Sequence, residues 1–170
     1  MPITTAQLID TIELATLINS AYRGESSKRG WTTEANLLKG DIRITAPELN
    51  AMMENPDAAI LKYNTPLGQL TGCVYLEKRN ESLYLGLLTV SPDQQAGGIG
   101  KQLLLASEEF AMEKNCNRIF MRVITLRTEL IAWYKRHGYA DSGLREPLTL
   151  DTRFPIPEQE IIFMIMEKSI

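Results

Sequence analysis

Between Ser82 and Ile124 the chain changes hydrophobic period twice, and this passage restricts the fold more than any other. Ser82 to Val90 is an apolar run of strand length, and a loop with one proline and several glycines follows. Ile99 to Asn115 then places Leu103, Leu104, Ala106, Phe110 and Ala111 on one helical side, and Arg118 to Ile124 is again a short apolar run. Strand, loop, helix and strand make a βαβ unit, whose strands lie parallel with a right-handed crossover. Ahead of it, Ala58 to Tyr63 and Gln69 to Glu77 are separated by Asn64-Thr-Pro-Leu-Gly68, and Lys78-Arg-Asn-Glu81 leads into Ser82. Turns that short predict an antiparallel meander, so the sheet is mixed.

Helices are expected on either side of this segment. Ala6 to Tyr22 carries Leu8, Ile12, Ala15, Leu17 and Ile18 near helical spacing and stops at Gly24. A polar loop to Trp31 precedes a short helix capped by Thr32 or Thr33, and Pro47 to Glu54 forms another, closed by Asn55-Pro56. Thr128 to His137 is a helix ended by Gly138, and Glu160 to Glu167 is a last strand. The stretch from Asp141 to Gln159 bears prolines and little periodicity and reads as a long hairpin.

A chain of 170 residues fits one domain over residues 1–170 and can bury its own core. Charges are mixed in sign with a net charge of -3, which disfavours a nucleic-acid binder and points to small or cationic partners. Cys73 and Cys116 stand in apolar stretches with no CxxC pair and no histidine cluster, so free thiols and no metal are expected. Met1-Pro-Ile-Thr-Thr5 lacks the pattern of a signal peptide and no apolar run reaches the ~18 residues of a membrane span, so the cytoplasm is the expected address, with no membrane partner.

The loop Gln95-Ala96-Gly97-Gly98-Ile99-Gly100 places free amides and the positive end of a helix dipole at one point, with Lys101 at the rim. Such a point attracts an anion, and glycines let a phosphate approach the main chain. A P-loop would need glycine at Gln95 and Ser or Thr at Gln102, and the GxGxxG spacing of dinucleotide sites is absent. The pattern present is Gln-x-x-Gly-x-Gly at Gln95, Gly98 and Gly100, preceded by Leu88-Thr-Val-Ser-Pro92. It resembles the acetyl-CoA signature of the GNAT superfamily of N-acetyltransferases.

A second motif agrees in order and spacing. Leu130-Ile-Ala-Trp-Tyr134-Lys-Arg-His-Gly138-Tyr139 resembles the GNAT helix that ends in aromatic-Tyr-x-x-x-Gly-aromatic. The resemblance covers most of the chain and implies an α/β (α+β) fold, with a mixed, largely antiparallel sheet of about six to seven strands and helices on both faces. It implies that the amides of Gln95 to Lys101 bind the CoA pyrophosphate and that Leu88 to Val90 pair with the pantetheine arm. Acetyl-CoA is then a cosubstrate, and Tyr134 is the acid that protonates the departing thiolate, a core tyrosine being the other reading. A phenol of pKa about 10 can hydrogen-bond to or protonate a thiolate of pKa about 8.5 as charge builds.

This helix also departs from the family pattern. Arg127 and Leu130 stand where relatives usually have Asn and Ala, so Arg127 either contacts a CoA phosphate or ribose or faces solvent. In the GNAT fold the region between the first two helices overhangs the acceptor, which brings in Tyr22, Arg23, Trp31 and Glu34 as acceptor contacts, with Trp31 equally able to staple the loop. Glu34 and Glu77 are the candidates for a base acting through water, or are ordinary surface charges. His137 beside Gly138 reads as a helix cap, and one histidine assembles no covalent nucleophile set. The expected reaction is acetylation of a primary amine on a small molecule. A protein or peptide amine and a non-catalytic CoA sensor are the alternatives, with a homodimer among the open oligomeric states.

Overall fold

The computed structural model describes residues 2–22, 43–95, 97–147 and 161–170. Among these lie seven strands: β1 (Ile3–Thr5), β2 (Ala58–Asn64), β3 (Leu70–Arg79), β4 (Ser82–Val90), β5 (Arg118–Ile124), β6 (Ala140–Pro147) and β7 (Ile162–Ser169). Four α-helices accompany them: α1 (Thr11–Tyr22), α2 (Ala46–Glu54), α3 (Ile99–Glu113) and α4 (Thr128–Arg136). One sheet runs in the order β1-β2-β3-β4-β5-β7-β6. Every adjacent pair is antiparallel except β4 and β5, the parallel strands of the βαβ unit.

The expected meander, crossover helix and helical cover on both faces are all present. Along β3, Cys73 and Tyr75 pack with Leu14, Ile18 and Leu49 from α1 and α2. Val74 and Leu76 point the other way, into a cluster with Leu103 of α3 and Leu130 and Tyr134 of α4. Since both faces are covered, β3 is buried from Thr71 to Leu76 and shows no polar alternation. Thr45 caps α2, its hydroxyl accepting from the Glu48 amide at 3.3 Å, with Pro47 in the first turn.

Beyond shifts of one or two residues at element ends, three features depart from the sequence expectation. The first helix begins at Thr11, because Leu8–Asp10 form a separate 3-10 turn in which the Gln7 amide donates to the Asp10 carboxylate at 2.8 Å. The three residues of β1, too few to show a period, pair with Thr5 opposite Leu61 and extend the sheet beyond β2. β6 is an exposed edge strand that pairs antiparallel with β7, as the arms of a long hairpin would. It carries no apolar alternation because Ser142, Gly143 and Leu144 bulge opposite a single residue of β7. The short helix expected after Thr32 or Thr33 lies outside the described residues.

Helix α3 lies close on the sheet because Gly72 has no side chain: a methyl there would stand 2.9 Å from Ile99 Cγ2, 3.1 Å from Leu103 Cδ1 and 3.2 Å from the Thr89 carbonyl. One of these neighbours is backbone and Leu103 is fully buried, so relief requires moving the helix. Gly72→Ala is therefore expected to destabilise the protein by about 1–3 kcal/mol in a urea titration. Unchanged stability would show that α3 is not seated against β3 in this way.

Candidate functional site

The parallel pairing of β4 with β5 spans only three registered pairs, Ser82 with Arg118, Leu83 with Ile119 and Tyr84 with Phe120. Both strands continue beyond that point, so they part there and leave one edge of β4 facing a crevice. Between Tyr75↔Gly86 and Cys73↔Thr89, β4 has two residues where β3 has one, a β-bulge at Leu87 and Leu88. Leu87 takes φ +51°, a left-handed conformation unusual for a branched side chain. Two side chains hold the bulge: the Thr89 hydroxyl donates to the Leu87 carbonyl at 2.7 Å, and the Tyr22 hydroxyl donates to the Leu88 carbonyl.

After Val90 a 3-10 turn over Pro92–Gln94 leads into the glycine loop. Gln95 ties the loop to its strand, its Nε2 donating to the Val90 carbonyl at 3.1 Å. The Gly97 amide is spent inside the loop on the Gln94 carbonyl at 3.2 Å. Gly98 is the residue before α3 and adopts φ +79°, where an L side chain is strained. The first bond of α3 runs from the Gln102 amide to the Gly98 carbonyl at 3.1 Å, which leaves Ile99, Gly100 and Lys101 in the first turn without i−4 partners. Gly100 meets α4 here, since a Cβ would lie 3.2 Å from the Trp133 ring.

Loop, β4 edge and α4 enclose a cavity of about 410 Å³. Leu88, Val90, Gln95, Gly98, Gly100 and Lys101 line it, with Tyr22 and Tyr134 at one end and Arg136 among the remaining walls. Among the described residues its charged side chains are cations, and the first-turn amides of α3 add a positive dipole end. This arrangement can hold a pyrophosphate. Ile99 belongs to the motif through its main chain, since its side chain is buried against Gly72. Ala96 lies outside the described residues.

Tyr134 is 5% exposed and also lines a second crevice, of about 70 Å³, together with Tyr22 and Leu88. These three residues and Leu130 line both spaces. Burial pushes the Tyr134 phenol well above its ordinary pKa, an effect increased by Tyr22 and reduced by the charge of Arg127. The proton therefore stays on this oxygen at neutral pH. Arg127, two turns ahead of Tyr134 on the same helical side, lines the second crevice and lies over the Tyr22 ring at 5.6 Å.

The other candidates separate clearly. Glu77 lines neither cavity, and its carboxylate accepts from Tyr75 at 2.7 Å and from Asn55 at 3.4 Å and is paired with Arg79. Although burial alone would raise its pKa, these partners hold it below the usual carboxylate range, which makes it a poor base. The His137 ring places Nδ1 2.8 Å from the Trp133 carbonyl, so Nδ1 carries the proton and caps the end of α4. Arg23, Trp31 and Glu34 lie outside the described residues. Among the described residues no group of acidic, histidine and cysteine side chains is arranged to hold a metal, and no helix is long and apolar enough to cross a membrane.

A sequence profile described as "Acetyltransferase (GNAT) family" matches residues 17–139, which include the bulge, the glycine loop and Tyr134. The chain belongs to the GNAT acetyltransferase family. Members transfer an acetyl group from acetyl-CoA. Among solved structures, the fold is similar to the ribosomal-protein-S18-alanine N-acetyltransferase from Escherichia coli, at 13% identity and TM-score 0.74 over 99% of this chain and 92% of that one. It is similar to a ribosomal-protein-alanine N-acetyltransferase from Brucella melitensis, at 17% identity and TM-score 0.74 over 100% of both chains. It is also similar to yncA, a putative acetyltransferase from Salmonella typhimurium solved with acetyl-CoA, at 14% identity and TM-score 0.71 over 98% and 92%. No curated protein matches the sequence.

Two glycines separate folding from binding in this GNAT chain. Gly98 and Gly68 both have positive φ, +79° and +84°, and a Cβ at either meets nothing within 4 Å. Ala at either position is expected to cost about 1–2 kcal/mol of stability from the left-handed backbone. Only Gly98→Ala is expected to weaken acetyl-CoA binding, by about tenfold or more, because Gly98 lines the glycine-loop cavity and Gly68 does not. Calorimetric titration of both variants checks this, and equal affinities would remove Gly98 from the binding loop.

Proposed function

We propose that this chain transfers the acetyl group of acetyl-CoA to a primary amine of a small-molecule acceptor by direct attack. The observation that carries the reading is the junction at Tyr22, Leu88 and Tyr134, residues that line both the glycine-loop cavity and a second crevice. The loop amides and Lys101 hold the pyrophosphate, and the free edge of β4 at Leu88 and Val90 directs the thioester towards Tyr134. The acceptor nitrogen enters from the crevice side and forms a bond to the thioester carbonyl carbon. As the carbon–sulfur bond breaks, the Tyr134 hydroxyl donates to the leaving sulfur, and the nitrogen loses its proton to water or a base. A lysine-like amine is neutral in only about one molecule in a few thousand at pH 7, so its ammonium form must first give up a proton to water or a base before attack, and that earlier loss governs the rate at low pH.

The raised pKa of Tyr134 has two consequences. Its proton is always available in the working range, and complete transfer to a thiolate is uphill unless the sulfur is desolvated in the same crevice. Tyr134 therefore acts mainly by hydrogen-bonding to charge as it develops. Glu34 stands as the base that relays the acceptor proton through water, and Trp31 as an acceptor contact. The ribosomal-protein acetyltransferases named above share the fold, which keeps a protein amine as the second acceptor class to assay.

Tyr134→Phe is expected to lower kcat by about a hundredfold while leaving acetyl-CoA affinity within a fewfold. The ring packing on Trp133 and Tyr139, at 5.3 and 5.9 Å, is retained in Phe, so Tm should change little. Unchanged turnover would remove the acid role. In the wild type, kcat/KM for the acceptor is expected to rise with pH as the amine deprotonates. It should not fall below about pH 10 through Tyr134, because the upward shift keeps the phenol protonated. A descending limb near pH 8 to 9 that disappears in Tyr134→Phe would contradict that environment.

A further inference from the structure

Leu130, Trp133, Tyr134 and Arg136 of α4, with His137 at its C-terminal cap, form one wall of the glycine-loop cavity. At about 100° per residue they follow one another round the helix in the order Tyr134, Leu130, His137, Trp133 and Arg136. Tyr134 and Leu130, at one end of that arc, also line the second crevice, whereas Trp133, His137 and Arg136 do not. Arg136 stands about 160° round from Tyr134, the furthest of the five from the acetyl-transfer junction. The glycine loop meets the arc beside it, since a Cβ on Gly100 would lie 3.2 Å from the Trp133 ring, and Trp133 is one turn ahead of Arg136 on the same helical side. His137 backs that ring at 4.4 Å between centroids.

Arginines elsewhere in the sheet are answered within the chain: Arg79 by Glu77, Arg118 by Glu167, Arg122 by Glu146 and Arg145 by Asp141. Among the described residues Arg136 has no ion pair, hydrogen bond or ring contact, and neither has Lys101. The dipole at the end of α4 favours a cation in its last turn, and Lys135 supplies one there while lining neither cavity. Arg136 is the cation of that turn directed to the cavity. The first-turn amides of α3 and Lys101 answer one anionic group, and CoA carries two, the pyrophosphate and a phosphomonoester on the 3′ oxygen of its ribose. With the thioester at Tyr134 and the pyrophosphate on the loop, the ribose continues away from the junction, on the side where Arg136 stands. A phosphomonoester has a charge of about −1.5 to −2 at pH 7 and three terminal oxygens, which suit the planar fork of a guanidinium.

We infer that Arg136 binds the 3′-phosphate of the donor, and that this contact makes the enzyme select thioesters of CoA itself over pantetheine thioesters that lack the 3′-phosphate. This rests on the acetyl-transfer reading above. It gives α4 a role at both ends of one ligand: Tyr134 at one edge of the arc meets the leaving sulfur, and Arg136 at the other meets the far phosphate.

The test is calorimetric titration of CoA and of 3′-dephospho-CoA, which keeps the pyrophosphate and the pantetheine, into wild type, Arg136→Gln and Lys135→Gln. Wild type is expected to bind CoA about tenfold or more tighter than 3′-dephospho-CoA, as for a charge-assisted hydrogen bond. Arg136→Gln is expected to lose that preference, weakening CoA about tenfold while holding 3′-dephospho-CoA within about twofold, which also shows that the variant folds. Lys135→Gln removes the neighbouring cation outside the cavity and should keep the wild-type ratio. Equal wild-type affinities for the two ligands would overturn the 3′-phosphate contact while leaving acetyl transfer standing. Equal weakening of both ligands by Arg136→Gln would overturn the assignment by returning that arginine to the pyrophosphate. The same loss of preference in Lys135→Gln would overturn it by reducing the effect to the general charge of the helix end. Binding of neither ligand by wild type would overturn the acetyl-CoA reading and this inference with it.

Discussion

Leu83 and Ile119, both fully buried, hold β4 and β5 side by side at one end of the sheet, and the pairing stops one residue later at Tyr84 and Phe120. From there the bulge at Leu87 and Leu88 turns β4 off the line of its neighbour. A parallel pair that separates in mid-sheet leaves main-chain groups without a ladder partner inside a protein, a costly condition unless something else satisfies them. Part of that demand is met within the chain, by Thr89 on Leu87 and Tyr22 on Leu88. The rest is what an extended ligand lying along β4 would meet. Loop, crevice and Tyr134 all take their positions from this parting of two strands.

The electrostatic character of the site opposes that of the whole chain. A net charge of -3 points to small or cationic partners, yet the charged side chains lining both cavities among the described residues are arginines and Lys101. On the glycine-loop side, the helix dipole of α3 adds to Lys101 and Arg136. On the other side, Arg43 and Arg127 gather on Tyr22. Net charge averages over the whole chain, so it carries little information about the local field at one cavity.

What the sequence made legible was local. The βαβ unit declares itself through two changes of period, the loop through glycines that no strand or helix would tolerate in that number, and Tyr134 through its distance from Gly138. The less visible features depend on partners distant in sequence or on very short segments. β1 is three residues long, and β6 is an exposed edge whose bulge erases alternation. Leu87 in a left-handed conformation has no compositional signal. Ile99 and Gly97 sit inside the motif, yet one supplies a core side chain and the other spends its amide on Gln94. Glu77 looks like a base in the sequence only because Arg79, Tyr75 and Asn55 cannot be placed around it there. Arg43 joins the site through Asn19 and Tyr22, more than twenty residues earlier, a link visible only once the chain is folded.

The central claim is that acetyl-CoA lies along the parted edge of β4 with its pyrophosphate on the first turn of α3. Amide hydrogen exchange of the protein with and without acetyl-CoA tests it most directly. Slowed exchange at Leu88 to Val90 and at Gly98 to Lys101, with β6 and α2 unaffected, is the predicted result. Protection confined to other elements, with those amides exchanging as before, would contradict it.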